Sequence, residues 1–273
     1  MLPRFEQFIK ERRWLHNVSP ATVEWHTHSL KWLLSESPTR DELNEMVIRM
    51  REKGLRATGA NRAIRSVNAY LKWSGSPHIV QQLKEPQCLL PTFSDEMIAK
   101  LLAFRGTGFY EQRLSLLVAV LFDTGVRISE ALGVKVTDVD FNDLLLTVTG
   151  KGDRERRVPI SHALRCRVMR FQTRYRPTFY LLATAQGGHL DRHVMLRDVK
   201  RLCLRLGFKA PARAIHATRH TFALHYLRRG GSVFHLQKVL GHSTLEMSRR
   251  YCNLAITDLS AIHERVSLLN ATT

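Results

Sequence analysis

The sequence predicts a mainly helical protein of two domains that carries one small antiparallel β-sheet. Apolar residues recur with a helical period along most of the chain, and a single pair of segments is rich in strand-forming residues. Segment 85–93 contains two prolines and has no helical period, which is typical of a linker. With 273 residues the chain is long enough for two cores. We therefore expect a helical domain at 1–84, a linker at 85–93 and a second domain at 94–273.

The first domain is predicted to contain four helices, the first of which carries an apolar stripe at Phe5, Phe8, Ile9 and Leu15. Ser19 precedes a proline and can cap one helix, and Thr39 with Glu42 forms a capping box at the start of the next. Gly54 can end that helix. A fourth helix is predicted from about residue 60 to residue 73, where a Ser-Gly-Ser-Pro stretch stops it.

The second domain begins with a helix that Ser94 can cap. Segment 114–122 is apolar on all sides, which indicates a buried central helix. Gly125 ends this helix, and another begins at Ser129 and Glu130. Segments 144–149 and 156–160 can pair as strands, joined by a glycine-flanked turn that carries Lys151. Further helices are expected at about 161–174, at 191–206, from near His216, and at about 256–270, where the pattern is amphipathic.

The charge of the chain indicates a polyanionic partner. Lysine and arginine total 42 against 24 acidic residues, which gives a formal net charge of +18 and a pI near 10.4. The longest unbroken apolar run, 116–122, is far shorter than the ~20 residues that a membrane span needs. The N-terminus is too charged for a signal peptide. We therefore expect a nucleic-acid partner and no membrane association. The candidate nucleic-acid contacts are Arg62, Arg65, Lys72 and Arg154.

Four cysteines are widely spaced and form no Cys-x-x-Cys pair. This spacing argues against a zinc ribbon and against a disulfide framework. It is typical of a protein of the reducing cytoplasm, where we expect this chain to work, in association with the nucleoid if its source is bacterial.

The most informative stretch is 216–220, with the sequence HATRH. On a helix, His216, Arg219 and His220 lie at i, i+3 and i+4 and can share one face. A face that offers one fixed cation and two proton carriers suits a phosphate that is being transferred. Other residues with suitable chemistry precede and follow it along the chain. The candidate catalytic set is Arg127, Lys151, His216, Arg219, His242 and Tyr251.

The order and spacing of this set resemble the tyrosine recombinase family, also called the phage integrase family. The matching pieces are TGVRISE at 124–130, the hairpin Lys151, HATRH at 216–220, LGH at 240–242, and Tyr251. They cover about residues 94–260, and the N-terminal helices fit the family's core-binding domain more loosely. The resemblance implies a C-shaped clamp around double-stranded DNA and a site-specific recombinase, either Xer-like or the integrase of a transposon.

The resemblance also implies a role for each residue of the set. Tyr251 would attack a DNA phosphodiester and form a covalent 3′-phosphotyrosine, while Arg127 and Arg219 would hold the nonbridging oxygens. The remaining three would move protons: Lys151 to the leaving 5′-hydroxyl, His216 to and from the nucleophile, and His242 to the phosphate. Accessory positions are Glu130, which is expected to orient Arg127 or a histidine, and His220, which is expected to be structural rather than chemical. No metal, other cofactor or ATP is expected. A dimer on one site and a tetramer on paired sites, joined through the C-terminal helix, are expected.

Three alternatives remain at this point. A non-catalytic, sequence-specific DNA-binding protein would explain the charge but not the ordered set. A zinc hydrolase would use His216 and His220, whose i, i+4 spacing suits two metal ligands. However, Ala217 stands where the HExxH pattern requires glutamate. A type IB topoisomerase would share the tyrosine chemistry but relax one duplex instead of pairing two sites.

Overall fold

The structure is a computed structural model that describes residues 2–86, 90–150, 152–242, 244 and 251. The chain divides into two compact units, Met1–Cys88 and Leu89–Thr273. This division falls inside the segment 85–93. Lys151 and the expected C-terminal helix at about 256–270 lie outside the described residues. The described part is mainly helical with one three-stranded antiparallel sheet, which confirms the predicted fold class.

Unit 1 is a group of helices around one apolar core. Its described helices are α1 (Pro3–Trp14), α2 (Pro20–Leu30), α3 (Arg40–Glu52) and α4 (Ala57–Trp73). Helix α4 contacts the other three and buries Ile64, Val67 and Tyr70 completely. The predicted caps are confirmed, since the Ser19 side chain accepts from the backbone of Thr22 and Thr39 forms its capping box.

Each end of the segment 85–93 is tied to its own unit. The Asn61 side chain accepts from the Leu83 amide at 2.7 Å and donates to Glu85 Oε1 at 2.7 Å, both within unit 1. The Phe93 amide donates to Thr221 Oγ1 at 2.9 Å within unit 2.

Unit 2 holds the remaining described elements. Its helices are α5 (Asp95–Ala103), α6 (Phe109–Thr124), α7 (Ile128–Gly133), α8 (His162–Tyr175), α9 (Arg192–Arg205), α10 (Ala214–Arg228) and α11 (Val233–Leu240). Its strands are β1 (Val139–Asp140), β2 (Leu145–Thr149) and β3 (Glu155–Pro159), in the order β1-β2-β3. The pairing of β2 with β3 was predicted, whereas the two-residue β1 was not. Helix α7 begins one residue earlier than expected, with Arg127 at the N-cap.

Helix α6 is the central element of unit 2. Its segment 116–121 is buried throughout, as predicted for an apolar helix, and it packs against α5, α8, α9 and α10. Gly125 ends it in the left-handed conformation with a φ of +64°. A Cβ at Gly125 would lie 2.2 Å from Phe222 Cδ1, so only glycine allows α10 to pack this closely. This close packing brings Arg219 of α10 beside the chain that follows α6.

None of the helices within the described part of the chain is long and apolar enough to cross a membrane.

Candidate active site

Glu130 joins two arginines from different elements. Arg127 donates to it twice, from the backbone amide to Oε2 and from Nη1 to Oε1, each at 2.7 Å. Arg156 of β3 donates from Nη1 to Oε1 at 3.0 Å and from Nη2 to Oε2 at 2.8 Å. The Arg156 Nε also donates to the carbonyl of Val239 at 2.9 Å. These bonds fix α7, the sheet and the end of α11 in one arrangement.

The buried Glu130 carboxylate is ionised. Its side chain is 3% exposed, and burial acts to raise its pKa. The donors from Arg156 and Arg127 outweigh burial and lower the pKa of Glu130 to about 2. The Arg127 side chain is 38% exposed beside this anchor, so its forked donors are held in a fixed orientation and remain accessible.

Arg156 is a site residue that the sequence analysis missed. Strand β3 alternates its faces, and Arg156 lies two residues before the fully buried Val158, so both side chains point inward. This alternation of inward and outward side chains can be read from the sequence, and it indicates that Arg156 points to the same side of the strand as Val158. Glu130, expected to orient Arg127 or a histidine, orients Arg127 and is itself held by Arg156.

Arg219 is buried in the middle of the site. It is 6% exposed and donates from Nη1 to the Gly125 carbonyl at 3.0 Å and from Nη2 to the Leu240 carbonyl at 2.7 Å. Burial, followed by the nearby charge of Arg127, lowers the pKa of Arg219 to about 10, so the guanidinium stays charged at neutral pH. A guanidinium has five N–H donors, and these two bonds leave others for a ligand.

Three histidines lie within electrostatic range of these arginines, and all are neutral at pH 7. Burial and then Arg219 lower the pKa of His242 to about 4, and burial and then His216 lower that of His220 to about 4. Burial and then Arg213 lower the pKa of His216, whose side chain is exposed. Neutral imidazoles beside fixed cations can accept or relay protons without adding charge.

Tyr251 is buried with its hydroxyl against His220. The residue is 4% exposed and packs in an apolar cluster with Leu236 and Leu240 of α11. Its hydroxyl lies 2.9 Å from His220 Nδ1, and the His242 ring lies nearly parallel to the phenol with centroids 6.3 Å apart. The family resemblance implied that His216 exchanges protons with Tyr251, and His220 was expected to be structural. In the structure the His220 ring lies within hydrogen-bonding distance of the Tyr251 hydroxyl.

The structure describes the residues on both sides of Lys151. The Gly150 amide donates to the Arg154 carbonyl at 2.8 Å, which closes the turn between β2 and β3. A Cβ on Gly150 would lie 3.5 Å from Glu130 Oε1 and 3.6 Å from Arg156 Nη1. The residue before Lys151 therefore lies against the Glu130 carboxylate.

The four candidate DNA contacts all have exposed side chains. Arg62, Arg65 and Lys72 lie within about 80° of one another around α4, at 100° per residue. They form one basic face opposite the buried Ile64 and Val67.

No group of three or more His, Cys, Asp or Glu side chains that could hold a metal ion is found among the described residues. What the site does offer is a tyrosine, fixed guanidinium groups and neutral imidazoles. This arrangement suits the transfer of a phosphoryl group to a tyrosine.

A family model described as "Phage integrase family" matches residues 92–257, which is more than half of the chain. The chain therefore belongs to the phage integrase family. Its activity is that of a tyrosine recombinase. Tyrosine recombinase XerA of Pyrococcus furiosus is 28% identical over 263 residues, which are 93% of this chain and 91% of that protein.

Solved structures share the fold. The integrase of transposon Tn1549 in complex with transposon right end DNA has a TM-score of 0.79 at 19% identity and covers 97% of this chain and 100% of that one. The XerH site-specific recombinase, bound to a palindromic difH substrate in a post-cleavage complex, has a TM-score of 0.74 at 18% identity. That match covers 97% of this chain and 84% of the other.

Proposed function

We propose that this chain recombines duplex DNA at specific sites by forming and reversing a covalent 3′-phosphotyrosine at Tyr251. The observation that carries this proposal is the contact of the Tyr251 hydroxyl with a neutral imidazole, beside two fixed guanidinium groups. The bond between tyrosine oxygen and phosphorus forms as the bond to the 5′-oxygen breaks. Because the phosphotyrosine retains the energy of the phosphodiester, rejoining requires no ATP.

Arg127 and Arg219 hold the nonbridging oxygens of the scissile phosphate. Arg127 is anchored by Glu130 and remains partly exposed, while Arg219 is anchored by two backbone carbonyls. Charge develops on those oxygens as the phosphorus becomes five-coordinate. Guanidinium groups that are already fixed need no reorganisation at that moment, so they stabilise the transition state more than the ground state.

His220 receives the proton of Tyr251. Its Nδ1 lies 2.9 Å from the phenol oxygen, and the ring is neutral because its pKa is lowered to about 4. A neutral ring that is protonated at Nε2 accepts the phenol hydrogen at Nδ1. This assigns to His220 the role that the family resemblance implied for His216.

His216, His242 and Lys151 serve the phosphate and the leaving group. His216 is exposed and feels the charges of Arg219 and Arg127, so its ring can reach the same phosphate. His242 follows the end of α11 and can donate to a phosphate oxygen. Lys151 supplies the proton to the 5′-oxygen, a role supported by the position of Gly150 against Glu130.

DNA contacts outside the site come from exposed basic residues. We assign Arg62, Arg65 and Lys72 on α4, and Arg154 beside the hairpin turn, to phosphates of the duplex. Each neutralised phosphate contributes a slope of about −0.9 to the dependence of log K on log salt. Because its substrate is DNA, we assign the protein to the cytoplasm and, in a bacterial cell, to the nucleoid.

Strand exchange requires paired sites, for which we propose a dimer on one site and a tetramer on two, assembled through the segment 256–270. That segment repeats apolar residues at positions 259, 262, 266 and 269, a pattern typical of an amphipathic helix. We expect truncation after Asn253 to leave DNA binding largely intact and to impair the assembly of paired sites. Unchanged recombination by the truncated protein would refute this part of the proposal.

The proposed function is tested by trapping covalent complexes in cells of the source organism. Wild type and Tyr251→Phe are expressed, non-covalent contacts are removed with SDS, and the DNA that remains attached is sequenced. Discrete sites recovered only from the wild type are expected, and they would also reveal the target sequence. Equal recovery from both proteins would show that Tyr251 is not the nucleophile.

A further inference from the structure

Four arginines surround a cavity of about 390 Å³ in unit 2. We call it the arginine cavity, and its arginines are Arg105, Arg167, Arg170 and Arg174. Other lining residues include Gln112, Ser115 and Phe171. None of the lining residues, among those the structure describes, is acidic.

The chain holds these guanidinium groups close together. Arg167, Arg170 and Arg174 lie at i, i+3 and i+7 on α8 and so share one helix face. Arg105 follows α5, and its Nη1 donates to the Leu102 carbonyl at 2.6 Å. Arg167 Nη2 donates to the same carbonyl oxygen at 2.8 Å. One acceptor therefore serves two cations at the wall of the cavity.

Among the described residues, no carboxylate forms an ion pair with any of the four cavity arginines. Burial, and then the charges of Arg105 and Arg170, lower the pKa of the Arg167 guanidinium, while Asp123 raises it. Asp123 accepts a hydrogen bond from the Ser161 amide, and the neighbouring Glu111 pairs with Arg205.

A donor within the cavity wall also lacks an acceptor. Arg167 Nη1 is buried and has no hydrogen-bond partner among the described residues. Like charges at this density repel one another, and a buried donor without an acceptor is costly. A tetrahedral oxyanion would remedy both, because guanidinium forks match phosphate oxygens in shape and charge.

The arginine cavity is separate from the active site. Leu116, the lining residue nearest the C-terminal end of α6, precedes Gly125 by nine residues. At 1.5 Å per residue this is about 14 Å along the helix axis. A phosphate bound in the cavity is therefore not the one that Tyr251 attacks.

From these observations we propose that the arginine cavity is a second phosphate-binding site of the catalytic unit. Its ligand is a phosphate group, supplied either by the backbone of a nucleic acid outside the cleavage point or by a small phosphate compound.

The test compares two variants of the full chain that each lose two positive charges. Arg170→Gln/Arg174→Gln removes two exposed arginines of the cavity, and Arg192→Gln/Lys200→Gln removes two exposed cations of α9. Sodium pyrophosphate is titrated calorimetrically into wild type and both variants. In a second arm, binding to a duplex of arbitrary sequence is measured from low to high salt. Thermal unfolding checks that both variants are folded.

We expect saturable pyrophosphate binding by the wild type, weakened at least tenfold in the cavity variant and less than twofold in the α9 variant. If the natural ligand is a nucleic-acid backbone, the cavity variant also lowers the salt slope of duplex binding, by about 1 to 2 for two lost contacts. An unchanged slope together with lost pyrophosphate binding identifies a small phosphate compound. Equal effects of the two variants in both arms, or no saturable pyrophosphate binding by the wild type, would overturn the proposal.

Discussion

Replacing Arg156 with methionine should destabilise unit 2 by leaving the Glu130 carboxylate buried with half of its donors. The change removes two hydrogen bonds to Glu130 and one to the Val239 carbonyl. The Glu130 side chain is 3% exposed, so water does not replace the lost donors. Removing one partner of a buried ion pair typically costs about 3–5 kcal/mol. Because Arg127 still donates twice to Glu130, we expect the lower end of that range, about 3 kcal/mol.

The pKa of Glu130 gives a contribution of the same order for all of its donors together. It is about 2 in the folded protein against 4.5 for an unperturbed carboxyl group. At 1.36 kcal/mol per pKa unit, this difference contributes about 3 kcal/mol. Because the folded pKa is the lower one, the contribution is complete above about pH 4.5 and is lost as the pH falls towards 2. The stability of Arg156→Met should therefore depend less steeply on pH between 5 and 3 than that of the wild type.

The assay is urea unfolding at pH 7 and at several pH values below 5. The matched control is Arg157→Met, on the opposite, exposed face of the same strand, which should change stability by less than about 0.5 kcal/mol. The double variant Glu130→Leu/Arg156→Met removes the buried charge together with its partner and should recover part of the loss. A destabilisation by Arg156→Met no larger than that of the control would refute the reasoning. So would a double variant whose loss of stability equals the sum of the losses caused by Glu130→Leu and by Arg156→Met alone.

Three further predictions address the site and the helix that positions it. Gly125→Ala should lower the free energy of unfolding in urea by about 2 kcal/mol or more, because residue 125 has a φ of +64° and its new Cβ would lie 2.2 Å from Phe222. The control is Gly152→Ala, where φ is +75° but nothing lies within 4 Å of the new Cβ, and it should lower the free energy of unfolding by about 1 kcal/mol. His220→Gln should slow cleavage about 100-fold. It should also make the cleavage rate rise with pH between 6 and 8, because the phenol of Tyr251 must then lose its proton to solvent. His216→Gln should keep the wild-type behaviour, in which the cleavage rate does not change with pH over this range. The reverse assignment of the two profiles would contradict the proposed proton path. Cleavage should be unchanged in EDTA, because fixed guanidinium groups neutralise the phosphate, and loss of cleavage that added Mg²⁺ or Zn²⁺ restores would contradict this account.

Local chemistry made much of the fold predictable. The caps at Ser19, Thr39 and Ser94 and the end of α6 at Gly125 each depend on a few neighbouring residues, and the structure has all four. The strand β1 was not predicted, because two residues are too few for a periodic signal. It exists because the neighbouring β2 offers its edge.

Site residues could be predicted where their order and spacing along the chain identified them. Their roles could not be predicted where the role depends on a contact between residues that are distant in the sequence. His216 and His220 share a helix face, so their spacing does not reveal which ring meets Tyr251. That contact depends on where the chain after α11 returns to α10. Arg156 joins Glu130 at a separation of 26 residues along the chain, and in the sequence an arginine in a short strand resembles a solvated charge. The inward orientation of Val158, two residues further along the strand, was the local sign that Arg156 also points inward.

The central claim is that Tyr251 carries the DNA during recombination. The most direct measurement uses a nicked duplex containing a recovered target site, so that the covalent complex accumulates. Nuclease and protease digestion followed by tandem mass spectrometry then identifies the amino acid that bears the nucleotide. We predict a nucleotide linked through its 3′-phosphate to the phenol oxygen of Tyr251 in the wild type, and no adduct with Tyr251→Phe. A nucleotide attached to any other residue, or an adduct of normal yield in the variant, would contradict the account.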